Sequence, residues 1–288
     1  MNQDARQGLK DRIAAMLSPV AGAAAADEAG TIVAAALAQA PASAEAHALA
    51  WAGKRAQGFP LGLAMGRQTF LGVTLAARED VLMPRQETEL LGREALAILA
   101  ALEAADPTLE PRVIDMGCGS GNLACALACA SPRTRVWASD LTESCAALAR
   151  DNAALLGLQE RVLVSQGDLF EPLRGRGLEG GFDLVLMNPP YIPSSSLEKT
   201  HAQLLEHEPR AAFDGGPYGI SILTRLLQDA PAFLKPGGHL LFEFGAGQAK
   251  LVQRLVERGQ AWMELRFAAD AQGEPRVGVV RSRQAQGK

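Results

Sequence analysis

Along the first 57 residues, apolar side chains recur at helical spacing: Leu9, Ile13, Met16 and Leu17, then Ile32 to Leu37, then Ala46 to Trp51. Residues three and four apart share one face of a helix, so the pattern predicts a small N-terminal helical domain over 1–57. Gly, Pro and Ser near Ser18–Gly22 and Pro41–Ser43 punctuate it. Residues 58–83 change character, with glycines between short β-like pieces, and a β-hairpin connector is expected there. A helix follows from near Glu87 to about Ala104. From Arg112 onward, strand-like runs alternate with helical ones. "RVIDM" precedes an alanine-rich helix to Ala130, "RVWASD" a helix from Thr142 to Leu156, and "RVLVSQGD" leads through a Gly-rich loop to "FDLVLMN". A helix expected from about Gly219 to Leu234 precedes "HLLFEFG", another is expected from Ala246 to Arg258, and "WMELRFA" and "PRVGVVRSR" close the chain. Such alternation predicts an α/β catalytic domain over 84–288, with ligands at the carboxyl ends of the strands.

The candidate chemistry falls at those ends. After "VID", Gly117, Cys118, Gly119, Ser120 and Gly121 form a turn before a helix, where glycines let the backbone approach a ligand. Their GxGxG spacing differs from the GxGxxG that seats a pyrophosphate. The next strand ends in Asp140, placed to take both hydroxyls of a ribose, and the third leads to Asp168, placed to meet an adenine amino group. Either acid is equally at home as a helix cap. Together the three sites describe a pocket for an adenosine without a diphosphate.

The fourth strand, "FDLVLM", stops at Asn188, Pro189, Pro190 and Tyr191. Pro189 forces Asn188 into an extended backbone, and paired prolines stiffen the turn while adding no N–H to compete for its carbonyls. The result is a rigid rim of acceptors, the Asn188 side-chain oxygen and the Pro189 carbonyl, suited to the two donors of a planar –NH2 group. Tyr191 adds a flat face for that plane and a ring that attracts a sulfonium.

These motifs resemble the class I S-adenosylmethionine-dependent methyltransferases, with a Rossmann-like central sheet. The resemblance implies S-adenosylmethionine as cofactor, with Gly117 to Gly121 at its methionine end, Asp140 on its ribose, and Asp168 and the Leu169 backbone bordering its adenine. More narrowly, the chain resembles the HemK-type protein-(glutamine-N5) methyltransferases. That likeness is carried by "GFPLGLAMGRQTFLG" (58–72), "VLMPRQETELL" (81–91), "EPRAAFDGGPYG" (208–219) and "GEPRVGVV" (273–280). It implies methylation of the glutamine in the Gly-Gly-Gln loop of peptide-chain release factors, with Asn188 to Tyr191 catalytic. It also makes Arg85, Glu87 and Thr88 a segment that receives the glutamine. The chain departs from the family pattern at Leu63, Leu71, Gln86 and Leu169, positions where family members contact partner or cofactor.

By their chemistry alone, Thr88 and Glu89 read as a helix start and Arg85 as a member of a surface ion pair. Arg210 and Asp214 read as an ion pair ordering the loop after the catalytic motif. His201 and His207 read as solvated or loop-packing residues, since amide methylation needs no histidine base. Cys118, Cys125, Cys129 and Cys145 contain no CxxC pair and read as small buried apolar residues, so no metal is expected.

Composition narrows the choice of substrate. Apolar residues make up 48% of the 288, charged residues 21%, and the net charge is −4, a balance unlike that of a free-standing nucleic-acid binder. Asn-Pro-Pro-Tyr also suits an N6-adenine methyltransferase acting on DNA or RNA, but a basic arm for phosphates is missing. A diverged paralogue acting on another protein or a small amide also fits the rim, and a non-catalytic binding module would leave it unexplained. The N-terminus lacks the pattern of a signal peptide, and the Val20–Ala40 stretch, broken by Asp27 and Glu28, reads as too weakly hydrophobic to span a bilayer. A cytoplasmic monomer that touches its protein partner transiently is expected.

Overall fold

The computed structural model describes residues 1–200 and 209–283; His201 and His207 lie outside the described residues. The chain forms two compact units, Met1–Gln68 and Thr69–Lys288.

The first unit is helical, with α1 (Gln3–Ala21), α2 (Ala25–Gln39), α3 (Ala44–Ala56) and α4 (Leu61–Met65). Asn2 caps α1 by accepting from the Ala5 amide at 2.9 Å. Leu9, Ile13 and Leu17 of α1 meet Ile32 and Val33 of α2 and Ala48 and Ala52 of α3 in one core, where alanines let the helices approach closely. Met16, expected on that inward face, is largely exposed. Residues Gln3–Gln39 include an apolar window of mean hydropathy 1.4, enough by length and composition to cross a membrane. That corrects the expectation of too weak a hydrophobicity. A turn at Gly22–Ala24 divides the stretch into two helices whose inward residues pack in the unit's own core. Part of the expected hairpin is helical, since Leu61–Met65 form α4 before the strands begin.

The hairpin proper, β1 (Arg67–Phe70) and β2 (Val73–Ala76), leads into the second unit. There α5 (Glu89–Ala105) is followed by β3 (Arg112–Met116), α6 (Asn122–Ala130), β4 (Arg135–Asp140), α7 (Glu143–Leu155), β5 (Val162–Gln166) and β6 (Phe182–Met187). The chain continues through α8 (Ser194–Thr200), α9 (Ser221–Asp229), β7 (Leu234–Glu243), α10 (Ala249–Arg258), β8 (Trp262–Ala269) and β9 (Pro275–Ser282). The seven-stranded sheet runs β5-β4-β3-β6-β7-β9-β8. The first five in chain order are parallel, and β9 enters antiparallel between β7 and β8. The helix expected to reach Leu234 ends at Asp229. Pro231 lies in the 3-10 turn that follows, and β7 begins at Leu234 and runs through Gly237–Gly238.

Every residue of β6 is buried. One apolar layer, with Leu91, Leu99, Leu123, Leu127 and Val136, covers one face of the sheet. Another, with Phe170, Phe182, Leu226, Phe233 and Val252, covers the other. From β3 the chain winds outward through β4 and β5, then crosses back to place β6 on the opposite side of β3. The loops after β3 and β6 therefore part in opposite directions, opening a crevice at the carboxyl ends of both strands.

Candidate active site

The glycine loop fills one side of this crevice. Gly117, Gly119 and Gly121 all adopt positive φ (64°, 54° and 76°), which a side chain would strain. The loop is tied down by its own backbone: Cys118 N–H donates to the Ser139 carbonyl at 3.0 Å and Gly121 N–H to the Cys118 carbonyl at 2.8 Å. From α7, Asn152 donates through Nδ2 to the Ser120 carbonyl at 2.9 Å and accepts from the Ala76 amide at 2.7 Å. The Asp115 carboxylate is buried beneath the loop; its Oδ2 accepts from the Ala124 amide at 3.0 Å, and no described residue donates to its Oδ1. Burial and the neighbouring charge of Asp140 push its carboxyl up to about 7, against the helix amide that favours the ion.

Asp140 is held on both carboxylate oxygens. Its Oδ2 accepts from the Gly119 amide at 2.9 Å and its Oδ1 from the Thr142 amide at 3.1 Å. The true cap of α7 is Thr142, which accepts from the Cys145 amide. Asp140 is thereby fixed in orientation, with oxygen lone pairs to spare. Asp168 pairs with Arg225 of α9 at 2.7 Å, on a partly exposed rim. Leu169 takes a positive φ of 46°, and its carbonyl accepts from the buried Ser139 hydroxyl at 2.9 Å. Cys118, Cys125 and Cys145 are buried, while Cys129, expected to be buried with them, is exposed. Burial pushes the Cys125 and Cys145 thiols up to about 12, which keeps them protonated packing groups.

The other side of the crevice is a cavity of about 290 Å³. Asn188, Pro189, Pro190 and Tyr191 line it together with Arg85 and Glu87 of the segment before α5. Thr88 is buried behind them and joins the site through its side chain. It occupies the cap position of α5, yet its hydroxyl caps nothing; it accepts from Asn188 Nδ2 at 2.9 Å. Thr88 thus stands at the start of α5 as its chemistry suggests, while its side chain serves Asn188 instead of the helix. With Nδ2 spent on Thr88, the oxygen is the end of the Asn188 amide left for an acceptor. Tyr191 donates its hydroxyl to Glu243 at 3.2 Å, while burial and the Glu243 charge push its phenol well above the usual range, so it stays protonated.

The loop behind this motif matches it closely. Ile192 N–H donates to the Phe213 carbonyl at 3.0 Å, and Gly215 N–H to the Ile192 carbonyl at 2.9 Å. Arg210 and Asp214 form the expected ion pair at 3.2 Å, and Asp214 also accepts from Ser194 Oγ at 2.5 Å.

Sequence reasoning missed Glu243 and Arg276. Glu243 ends β7, is 1% exposed, and is pushed up by burial while the Thr88 hydroxyl, the Arg276 charge and the Tyr191 hydroxyl pull it down. Arg276 lines the cavity from β9, donating to the Phe244 carbonyl at 3.1 Å with its guanidinium 5.9 Å from the Tyr191 ring centre. The signal for Glu243 was available, an acid at the carboxyl end of a strand like Asp140. Nothing local marked Arg276.

Comparison with known proteins places these features in a family. Residues 94–220 match the family model described as "Methyltransferase small domain". The chain is 38% identical over 223 residues to the release factor glutamine methyltransferase of Moorella thermoacetica, covering 77% of this chain and 75% of the relative. It is 35% identical to the Gloeobacter violaceus protein of the same name, covering 83% and 82%. Among solved structures, the N-terminal domain of human METTL16 in complex with SAH superposes with a TM-score of 0.50 at 16% identity, covering 85% of this chain and 84% of that one. At that identity it shows a shared fold.

Proposed function

Since the chain belongs to the release factor glutamine methyltransferases, we propose that it transfers a methyl group from S-adenosylmethionine to the side-chain amide nitrogen of the glutamine in the Gly-Gly-Gln motif of peptide-chain release factors. The observation that carries this reading is the Asn188–Thr88 hydrogen bond at 2.9 Å, which leaves an amide oxygen as the free end of Asn188 at a cavity rimmed by Pro189 and Tyr191.

The residues present fit the cofactor. An acid whose buried Oδ1 has no donor among the described residues is suited to a cationic ligand, and Asp115 is such an acid under the glycine loop. Gly117 to Gly121, with Cys118 and Ser120, would hold the amino-acid end, Asp140 the ribose, and Asp168 and Leu169 the adenine. When bound, the cofactor supplies an electrophilic methyl group on a sulfonium.

The chain's own residues supply the rest. A primary amide is a poor nucleophile because its nitrogen lone pair is delocalised into the carbonyl. Asn188 Oδ1 and the Pro189 carbonyl accept its two N–H bonds and hold its plane over Tyr191. Both acceptors raise electron density on the nitrogen, and both hydrogen bonds strengthen as the N–CH3 bond forms and the nitrogen becomes positive. One N–H proton is then lost to solvent, so no base must act beforehand. Orientation and fixed dipoles supply most of the rate. Arg85, Glu87 and Arg276 border the entrance and meet the backbone of the incoming loop. In this reading residues 84–288 form the catalytic domain. The helical domain 1–57 and connector 58–83 serve partner recognition by a cytoplasmic monomer.

The test is methyl transfer from labelled S-adenosylmethionine to purified release factors, followed by peptide mass mapping. One methyl on the Gly-Gly-Gln glutamine, absent with Asn188→Ala, is the expected result. Label appearing instead on nucleic acid or on another amide would overturn the choice of substrate.

A further inference from the structure

Asn152 is a fully buried amide, 0% exposed, on the face of α7 that meets the glycine loop. Ala149, three positions before it and on the same face, packs so closely on the loop that a Cβ on Gly121 would stand 3.0 Å from the Ala149 methyl. Helix packing alone would be served by another alanine, as at Ala149 and Ala153. Burying an amide is costly unless its donors and its acceptor find partners.

Those partners come from two separate segments. One N–H of Asn152 Nδ2 goes to the Ser120 carbonyl at 2.9 Å, inside the glycine loop. At Ala76, Asn152 takes both backbone groups: Nδ2 donates to the carbonyl at 3.3 Å and Oδ1 accepts from the amide at 2.7 Å. Ala76 ends β2, and the hairpin sheet has only two strands, so the Asn152 side chain stands where a third strand would offer its peptide group. Val81, Cys145 and Leu148 form a buried cluster with Ala76 packed against it, which keeps water away from these bonds. An amide carries donor and acceptor on one edge, as a peptide group does, and one further N–H besides. A carboxylate would set its oxygens against two carbonyls, and an alkyl side chain would leave three backbone groups without partners.

We propose that Asn152 is a positioning residue for the cofactor loop: it locks the Ser120 backbone to the end of β2, so that cofactor binding and the seating of the hairpin stabilise each other. The role deepens the function proposed above and rests on its assignment of the glycine loop to S-adenosylmethionine. Within the loop, the Cys118 and Gly121 amides tie the turn to β4 and to itself. Asn152 supplies the tie to α7 and the hairpin. Without it the Ser120 peptide is free to move, binding must reorder the turn, and affinity falls. The coupling is reciprocal: a cofactor that fixes Ser120 also holds Ala76 through the shared amide.

The test joins donor binding to hydrogen exchange, which needs no turnover. Asn152→Ala is expected to weaken S-adenosylmethionine binding, measured by calorimetry, about 3- to 10-fold, the scale of one hydrogen bond. In steady-state kinetics the KM for the donor should rise by more than kcat falls. The Ala76 amide is held by Asn152, whereas the Leu71 amide, at the turn of the same hairpin, is held by Glu89 at 3.1 Å. In the wild type, saturating S-adenosylmethionine should slow exchange at Ala76 at least about threefold more than at Leu71, since the two open locally. In the free protein, Asn152→Ala should speed exchange at Cys118 and Gly121 more than at Leu71. Equal slowing of Ala76 and Leu71 by the donor would overturn the coupling, and so would unchanged donor affinity in Asn152→Ala. Should Asn152→Ala not fold, the wild-type comparison of Ala76 with Leu71 still decides. If the wild type binds no S-adenosylmethionine, the cofactor reading falls, and exchange at Cys118 and Gly121 in the variant still decides whether Asn152 holds the loop.

Discussion

Gln248 Nε2 donates to the carbonyl oxygen of Tyr191 at 3.0 Å, so the last residue of the Asn-Pro-Pro-Tyr motif is held from behind by the turn that opens α10. The same Gln248 accepts from the Gly245 amide at 2.8 Å, which fixes its own orientation. Gly219 lies against the Tyr191 carbonyl with a φ of 70°, and a Cβ there would run into that oxygen. Gly219→Ala therefore combines left-handed strain with a backbone collision, at roughly 1–3 kcal/mol. The expected outcome is a Tm lower by several degrees and a larger fall in kcat than in donor affinity, since the displaced atom belongs to the acceptor side. Thermal unfolding with and without S-adenosylmethionine, beside steady-state kinetics, checks it; an unchanged kcat would show that the Tyr191 backbone need not be held there.

Asn188→Ala removes the side-chain acceptor of the proposed rim and leaves the glycine loop and Asp140 intact. Transfer should fall by at least about 100-fold, the scale seen when one polarising group of an active site is deleted. Donor binding measured by calorimetry should be nearly unchanged. Loss of donor affinity with turnover kept at saturation would move Asn188 from the acceptor to the cofactor.

Asp168 and Arg225 separate a ligand contact from an ion pair. Their side chains are 36% and 45% exposed, so the pair itself contributes little to stability, about 0–1 kcal/mol. Asp168→Ala is expected to weaken donor binding about 10-fold by removing a hydrogen bond to the adenine amino group. Arg225→Ala should change it less than about threefold and leave Tm where it was. Equal losses in the two variants would mean that the pair, rather than the carboxylate, shapes the adenine site.

How far the sequence discloses the site depends on whether a residue acts through its neighbours along the chain or across the fold. Gly117 to Gly121 and Asn188 to Tyr191 were legible because their chemistry is local: positive-φ turns before a helix, and prolines that end a buried strand. Thr88 was singled out only by the family resemblance, because by its chemistry alone a threonine ahead of Glu89 and Leu90 has the pattern of a helix start; its contact with a side chain 100 positions away is what no local pattern announces. Glu243 reads as one polar residue in the strand "LLFEFG". Its meaning comes from the sheet order, which sets β7 beside β6 and brings its end behind Tyr191. The strand itself begins at Leu234, ahead of the expected "HLLFEFG", and runs through Gly237 and Gly238. Arg276 enters through β9, inserted between β7 and β8, a topology that no periodicity announces.

Asp115 gives the protein a pH dependence whose sign can be worked out. Its carboxyl stands at about 7 in the folded chain against an ordinary 3.8, because burial and Asp140 disfavour its charge. Between those two values the folded state holds a proton that the unfolded state has released, so stability falls as pH rises across that window. Below about pH 4 both states hold the proton, and above about pH 7 neither does, so the cost is then complete. A cationic ligand over the glycine loop would reverse the preference, since its charge favours the ionised acid. Unfolding of the cofactor-free protein should therefore show a stability decline from pH 5 to pH 8 that is steeper than in Asp115→Asn, and S-adenosylmethionine should bind more tightly at pH 8 than at pH 6. Denaturant titrations of both proteins across that range, with donor binding measured at each pH, read out the two effects separately. Equal slopes in wild type and variant would show that Asp115 is not the group being titrated, and donor affinity indifferent to pH would show that its charge does not meet the cofactor.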